Sequence, residues 1–105
     1  MDKNMEVQKM KDFMNPTELE QKHTPVILRQ GSGEVSVKVG LVPHPTEEAH
    51  HINWIELYRN KAVVERKNLE VGKPAEIVFE IPDLKPEDIL MAREECNIHG
   101  LWESV

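Results

Sequence analysis

The chain of 105 residues has one cysteine, Cys96, so an internal disulfide is excluded and a reducing compartment is expected. No apolar run approaches the roughly 20 residues needed to cross a bilayer. The N-terminal stretch MDKNMEVQKMKDFM is charged throughout and has no apolar leader segment, so a cytoplasmic protein is expected. Basic residues are too few: 13 Lys and Arg stand against 19 Asp and Glu, for a formal net charge of −6. That balance argues against sequence-independent binding of nucleic acid, which needs clustered cations to displace counterions. It argues equally against a polybasic membrane-binding face.

What is present suits a folded, soluble domain. Hydrophobic residues make up 39% of the chain and charged residues 30%. A single domain over residues 1–105 is expected, large enough to bury about two-thirds of its unfolded surface. Val7, Met10, Phe13 and Met14 recur at three- and four-residue spacing, which predicts a helix, with Met1 to Asn4 fraying. NPTELEQKH restarts a short helix with Asn15 as N-cap and Pro16 in the first position, ending near His23 because Pro25 disfavours helix at Thr24. Residues 1–22 thus form a helical N-terminal segment and the loop that carries Lys22.

Beyond it the pattern changes to strands. TPVILRQ, EVSVKVGLV, HINWIELYRN, AVVERKNL, AEIVFEI and ILMAREEC are short runs separated by GSGE, PHPTEEAH, VGKP and PDLKPED turns. Val35, Val37 and Val39 alternate with Ser36 and Lys38, and Ile77, Phe79 and Ile81 alternate with polar neighbours. Strands at intervals of about ten residues predict an all-β, immunoglobulin-like antiparallel sandwich with a short helical N-terminal segment.

The chemistry-bearing residues are Cys96 and five histidines, His23, His44, His50, His51 and His99. Any one loop histidine is ordinarily a solvated surface residue. The group is less ordinary. His44 sits between Pro43 and Pro45, which stiffen the backbone on both sides of it. His50 follows six residues on, and Cys96 and His99 form a Cys-x-x-His. Imidazoles with one thiolate make a metal-ligand set, but residue type leaves iron, copper, nickel and zinc open.

The stretches QKHTPVI, VPHPTEEAHHINWIELY and CNIHGLW closely resemble the superoxide reductases, the family of neelaredoxins and of the C-terminal domain of desulfoferrodoxins. They spread from residue 21 to residue 102, and their combination is specific to that family. The resemblance implies one mononuclear non-haem iron (Fe2+/Fe3+) per chain. Its ligands would be the imidazoles of His23, His44, His50 and His99, with the Cys96 thiolate axial. His51 would point to the other face of its strand. Lys22 matches the family's lysine beside the open iron position and is the catalytic candidate. Gln21 stands where the family commonly has a glutamate that fills the sixth position in the oxidised state, and Glu20 is the candidate replacement. The stretch between Tyr58 and Cys96 is shorter than usual, and the four-cysteine N-terminal iron domain is not in this sequence, so one iron is expected.

The activity implied is one-electron reduction of superoxide to hydrogen peroxide, a detoxification chemistry of oxidative stress. An external donor such as rubredoxin would return the electron, and a homo-oligomer is expected. Leu101 and Trp102 are expected beside the site, and Asn97 is expected to hydrogen-bond the thiolate region. The competing readings are an iron-binding electron-transfer module without the activity, and an interaction sandwich without metal.

Overall fold

The computed structural model describes residues 6–104. Eight strands and one helix follow in the order β1 Val7–Lys9, α1 Glu18–His23, β2 Pro25–Arg29, β3 Glu34–Val39, β4 Ile52–Arg59, β5 Ala62–Asn68, β6 Glu76–Glu80, β7 Leu90–Cys96 and β8 Gly100–Glu103. They build two sheets, one of five strands in the order β1-β8-β7-β4-β5 and one of three in the order β2-β3-β6. Every pairing is antiparallel except β1 with β8. The predicted antiparallel sandwich is the fold.

Between the sheets lie Val35, Val37 and Val39 of β3, Ile55 and Leu57 of β4, Phe79 of β6 and Ala92 and Cys96 of β7, each at most 2% exposed. The valine alternation read from the sequence is therefore the core face of β3. In β4 the buried residues Ile52 and Ile55 are three apart, which breaks a period of two. A register shift against β7 between Ile52 and Trp54 accounts for it, because one extra residue returns the strand to the same face.

The N-terminal expectation is corrected. Residues 7–9 form a strand, and Phe13 and Met14 are 73% and 78% exposed. Four apolar residues over two turns do not offset the cost of nucleating a helix. Pairing with the free edge of β8 satisfies the same backbone groups, with Val7 opposite Leu101 and Lys9 opposite Glu103. The predicted fraying at Met1 to Asn4 falls outside the described residues. The second helix exists, but its N-cap is Thr17 and not Asn15. Thr17 Oγ1 accepts from the Glu20 N–H at 3.1 Å while Glu20 Oε1 accepts from the Thr17 N–H at 2.9 Å. This reciprocal capping box outweighs the single cap that Asn15 could offer. The strand β8 was not foreseen at all. Gly100, at φ +84, closes a tight turn from Cys96, with Cys96 and Gly100 directly opposite in the ladder.

Among the described residues no helix is long and apolar enough to cross a membrane.

Candidate metal centre

Four segments meet at one end of the sandwich. Helix α1 ends in His23, the Pro43–Pro45 turn holds His44, the approach to β4 holds His50, and the β7–β8 turn runs from Cys96 to His99. Close backbone contacts bring the first two together. Gly40, at φ +96, leaves room for the chain to pass α1: a Cβ there would stand 2.9 Å from the Lys22 carbonyl and 3.1 Å from that of Gln21. The Gly40 and Val42 N–H groups donate to the Thr24 and Gln21 carbonyls, each at 3.1 Å. Asn97 joins the other two segments. Its Oδ1 accepts from the His51 N–H at 2.9 Å and its Nδ2 donates to the Ala49 carbonyl at 3.1 Å.

One ligand atom from each of His23, His44, His50 and Cys96 lies within 4.8 Å of all the others. Ring centroids are 4.6 Å apart from His23 to His44, 4.7 Å from His44 to His50, 5.2 Å from His50 to His99 and 4.9 Å from His99 back to His23. Each neighbouring pair is edge-to-face, so the four rings circle a common centre. His99 belongs to this circle by its ring, though not to the tight four-atom group. His51 lies outside it, with its Nδ1 3.0 Å from the Glu47 carbonyl oxygen.

The chemistry of the donors shows that the pocket fits a cation. His23 Nδ1 lies 2.7 Å from the Leu19 carbonyl oxygen, and His44 Nδ1 lies 2.7 Å from that of Pro45. A carbonyl can only accept, so both Nδ1 atoms carry the proton and both Nε2 atoms are bare. Those two Nε2 atoms face each other at 3.1 Å with no proton to share. His50 Nε2 is buried without a partner, and Cys96 Sγ sits 3.5 Å from His44 Nε2. Buried lone pairs aimed at one another are unfavourable unless a positive ion stands among them. Thiolate and imidazole are donors that iron accepts.

Burial sets the protonation states in the same direction. Desolvation is the largest influence on His23, His44 and His50 and lowers all three, His44 to about 4, so the imidazoles are neutral and ready to ligate near pH 7. Desolvation raises the Cys96 thiol, while the backbone N–H groups of His99 and Ile98 oppose it by hydrogen-bonding the sulfur. Those two N–H groups, and not Asn97, are what touches the thiolate region. Asn97 is instead the clamp between loops described above.

Lys22 lies on a cleft of about 220 Å³ with Glu18, Leu19, His23, His50 and His99. Its Nζ is 3.7 Å from Glu18 Oε2, an exposed pair at i,i+4. Glu18 was missed in the sequence, although a spacing of four from Lys22 on a short helix puts both on one face. Neither Gln21 nor Glu20 lines this cleft. Gln21 Nε2 donates to the Pro16 carbonyl, and Glu20 is 8% exposed with its carboxylate used by the capping box and by the Lys11 N–H at 3.4 Å. The expectation that Glu20 replaces the usual glutamate is corrected on that ground. Trp102, 3% exposed, stacks on His23 at 5.2 Å and shields it from water. Leu101 points to the opposite face of β8, into a groove with Trp54 and Tyr58. A larger cavity of about 540 Å³ between Met10, Phe13, Val26 and Ile89 holds none of the histidines and is not the site.

Comparison with known proteins agrees with the geometry. The family described as Desulfoferrodoxin matches residues 15–105. A desulfoferrodoxin homolog from Archaeoglobus fulgidus is 43% identical over 96 residues, which is 91% of this chain and 72% of that protein. A superoxide reductase from Pyrococcus abyssi is 38% identical over 98 residues, 80% of this chain and 84% of its own. The crystal structure of the superoxide reductase from Treponema pallidum shares the fold at a TM-score of 0.69 and 37% identity, over 81% of this chain and 67% of that one. Against the desulfoferrodoxins it matches, the chain spans 62% to 72% of their length. The chain belongs to the desulfoferrodoxin family, and within it to the superoxide reductases, or neelaredoxins.

Proposed function

We infer that this chain is a superoxide reductase that reduces superoxide to hydrogen peroxide at one iron, held by His23, His44, His50, His99 and Cys96. The observation that carries the reading is the circle of four rings beside the Cys96 sulfur, with the Nε2 atoms of His23, His44 and His50 left without protein donors. Iron held by these residues would supply the single electron, as a metal with accessible ferrous and ferric states can.

The protein's own residues account for selection and protonation. A ferrous ion held by one thiolate and neutral imidazoles would leave a centre of charge about +1, and Lys22 adds a second positive charge at the mouth of the cleft. Net charge −6 repels an anion at long range, but that repulsion is screened beyond about 8 Å at physiological salt. Inside that distance the local cations dominate. The exposed Glu18 partner holds Lys22 by only about 0–1 kcal/mol, so the ammonium is free to turn toward an anion, hydrogen-bond it and organise the water that protonates it. Two protons and one electron convert each superoxide to hydrogen peroxide. An external one-electron donor, with rubredoxin the candidate that the family suggests, would supply the electron for each turnover. The reading includes a homo-oligomer in a cytoplasmic setting.

The test is stoichiometric. The reduced, iron-loaded protein is expected to consume superoxide with release of peroxide and no oxygen. Release of half a molecule of oxygen per superoxide would mean dismutation, and no consumption would leave an electron-transfer module. A second expectation concerns Lys22→Ala. The second-order rate of superoxide capture should fall about tenfold or more at low ionic strength and by less at high salt. An unchanged rate at low salt removes Lys22 from the mechanism.

A further inference from the structure

The strand β1 lies upstream of residue 15, where the match to the family begins. It nevertheless reaches the site. Gln8 Nε2 donates to two carbonyls on the same edge of the β7–β8 hairpin, that of His99 at 2.7 Å and that of Leu101 at 3.2 Å. The His99 carbonyl receives a second bond, from Trp102 Nε1 at 3.2 Å. Both donors of the Gln8 amide are used, and both lone pairs of the His99 carbonyl are filled.

This arrangement matters because of where His99 sits. It is in a turn of three residues between Cys96 and Gly100, with no ladder partner of its own. Gly100 next to it is at φ +84 and has no side chain to brace the turn, and a Cβ there would stand 3.4 Å from Gln8 Nε2. Displacement of the His99–Gly100 peptide would carry the His99 Cα with it and shift the imidazole relative to His23 and His50. Gln8 and Trp102 hold that peptide from two sides. The same N-terminal segment is tied to the opposite wall of the site, since the Lys11 N–H reaches Glu20 of α1, the helix that ends in His23.

We propose that Gln8 is a positioning residue for the metal centre: its side-chain amide fixes the His99 peptide and thereby aims the His99 imidazole at the common centre of the rings. The proposal rests on the reading of His99 as an iron ligand. Loss of a partner that orients a ligand costs about 10- to 100-fold in metal affinity, and that is the size of effect expected.

The experiment uses the full chain loaded with iron and three variants. Gln8→Met keeps the length of the side chain and removes both donors. Lys9→Ala alters an exposed neighbour on the same strand and leaves the carbonyl contacts intact. His99→Ala removes the ligand itself. Iron loss to a chelator and the ferric electron paramagnetic resonance spectrum are recorded for each. Gln8→Met should release iron about 10- to 100-fold faster with a changed rhombicity, while Lys9→Ala matches the parent on both. Parent-like behaviour of Gln8→Met overturns the proposal, as does an equal change in Lys9→Ala, which would mean that the strand merely braces the fold. If Gln8→Met does not fold, Gln8→Ala adds no bulk and gives the same readouts. A parent-like spectrum and release rate in His99→Ala would instead overturn the ligand reading, so the two failures are told apart.

Discussion

Cys96→Ser is expected to abolish the visible sulfur-to-iron absorption of the ferric protein and to reduce superoxide turnover by about 100-fold or more. Sulfur at this position is 2% exposed, lies among the three imidazoles of the tight cluster, and receives two backbone N–H groups. A thiolate at this position would donate electron density to a metal held by the imidazoles far more strongly than a serine oxygen could. The change is small in volume, so the sandwich should still fold. Absorption spectra and stopped-flow mixing with superoxide check the expectation on the same sample. A serine variant that keeps the band would show that the sulfur is not a ligand, whatever its rate.

The second large effect concerns a residue outside the ligand set. Glu94 is fully buried on the inner face of β7, opposite Ile55 and Trp102, and neither of its carboxylate oxygens has a partner. Burial, with a smaller contribution from Glu95, pushes its carboxyl up to about 9. The sign follows from proton linkage. Between the ordinary carboxylate range and about pH 9 the unfolded chain has released this proton and the folded chain still holds it. Unfolding is therefore favoured as pH rises, by up to about 1.4 kcal/mol for each unit. Glu94→Gln removes the titration and keeps the shape. Metal-free Glu94→Gln should be more stable than the parent by on the order of 3–5 kcal/mol at pH 8, and the advantage should shrink toward pH 5. Denaturant unfolding of both proteins at the two pH values measures it. A difference that does not change with pH would mean that the Glu94 side chain is solvated or paired in solution.

Much of this molecule was legible in its residues, and the gaps have physical causes. The core face of β3 followed from alternation, because a strand with one buried side must repeat every two residues, and β4 followed from an apolar run bounded by turn residues. The end of α1 at His23 followed from Pro25. The start of α1 did not, since Asn15 and Thr17 are both good caps and only the reciprocal bond from Glu20 separates them. β1 was misread because three residues carry no periodicity, and their conformation is decided by β8, nearly a hundred residues away. In the site, the loop histidines and Cys96 were legible as a ligand set, but their spacing left the metal open and only the family likeness named iron. Glu18, Gln8 and Glu94 were invisible for different reasons. The first depends on helix phase, the second on a strand that was read as helix, and the third on a charged residue facing inward, against the ordinary rule for strands.

The ring of imidazoles also bears on how the two layers stay together. His23 leads directly into β2 of the three-stranded sheet, whereas Cys96 ends β7 of the five-stranded one and His99 lies in the turn that joins β7 to β8. An ion gripped by both would be a rivet through the sandwich at that end. The far end has its own fastening, the Arg59 guanidinium bonded to Asp83 and Asp88. Withdrawing the ion would unpin one margin only, and the buried core with the arginine knot would still hold the layers together.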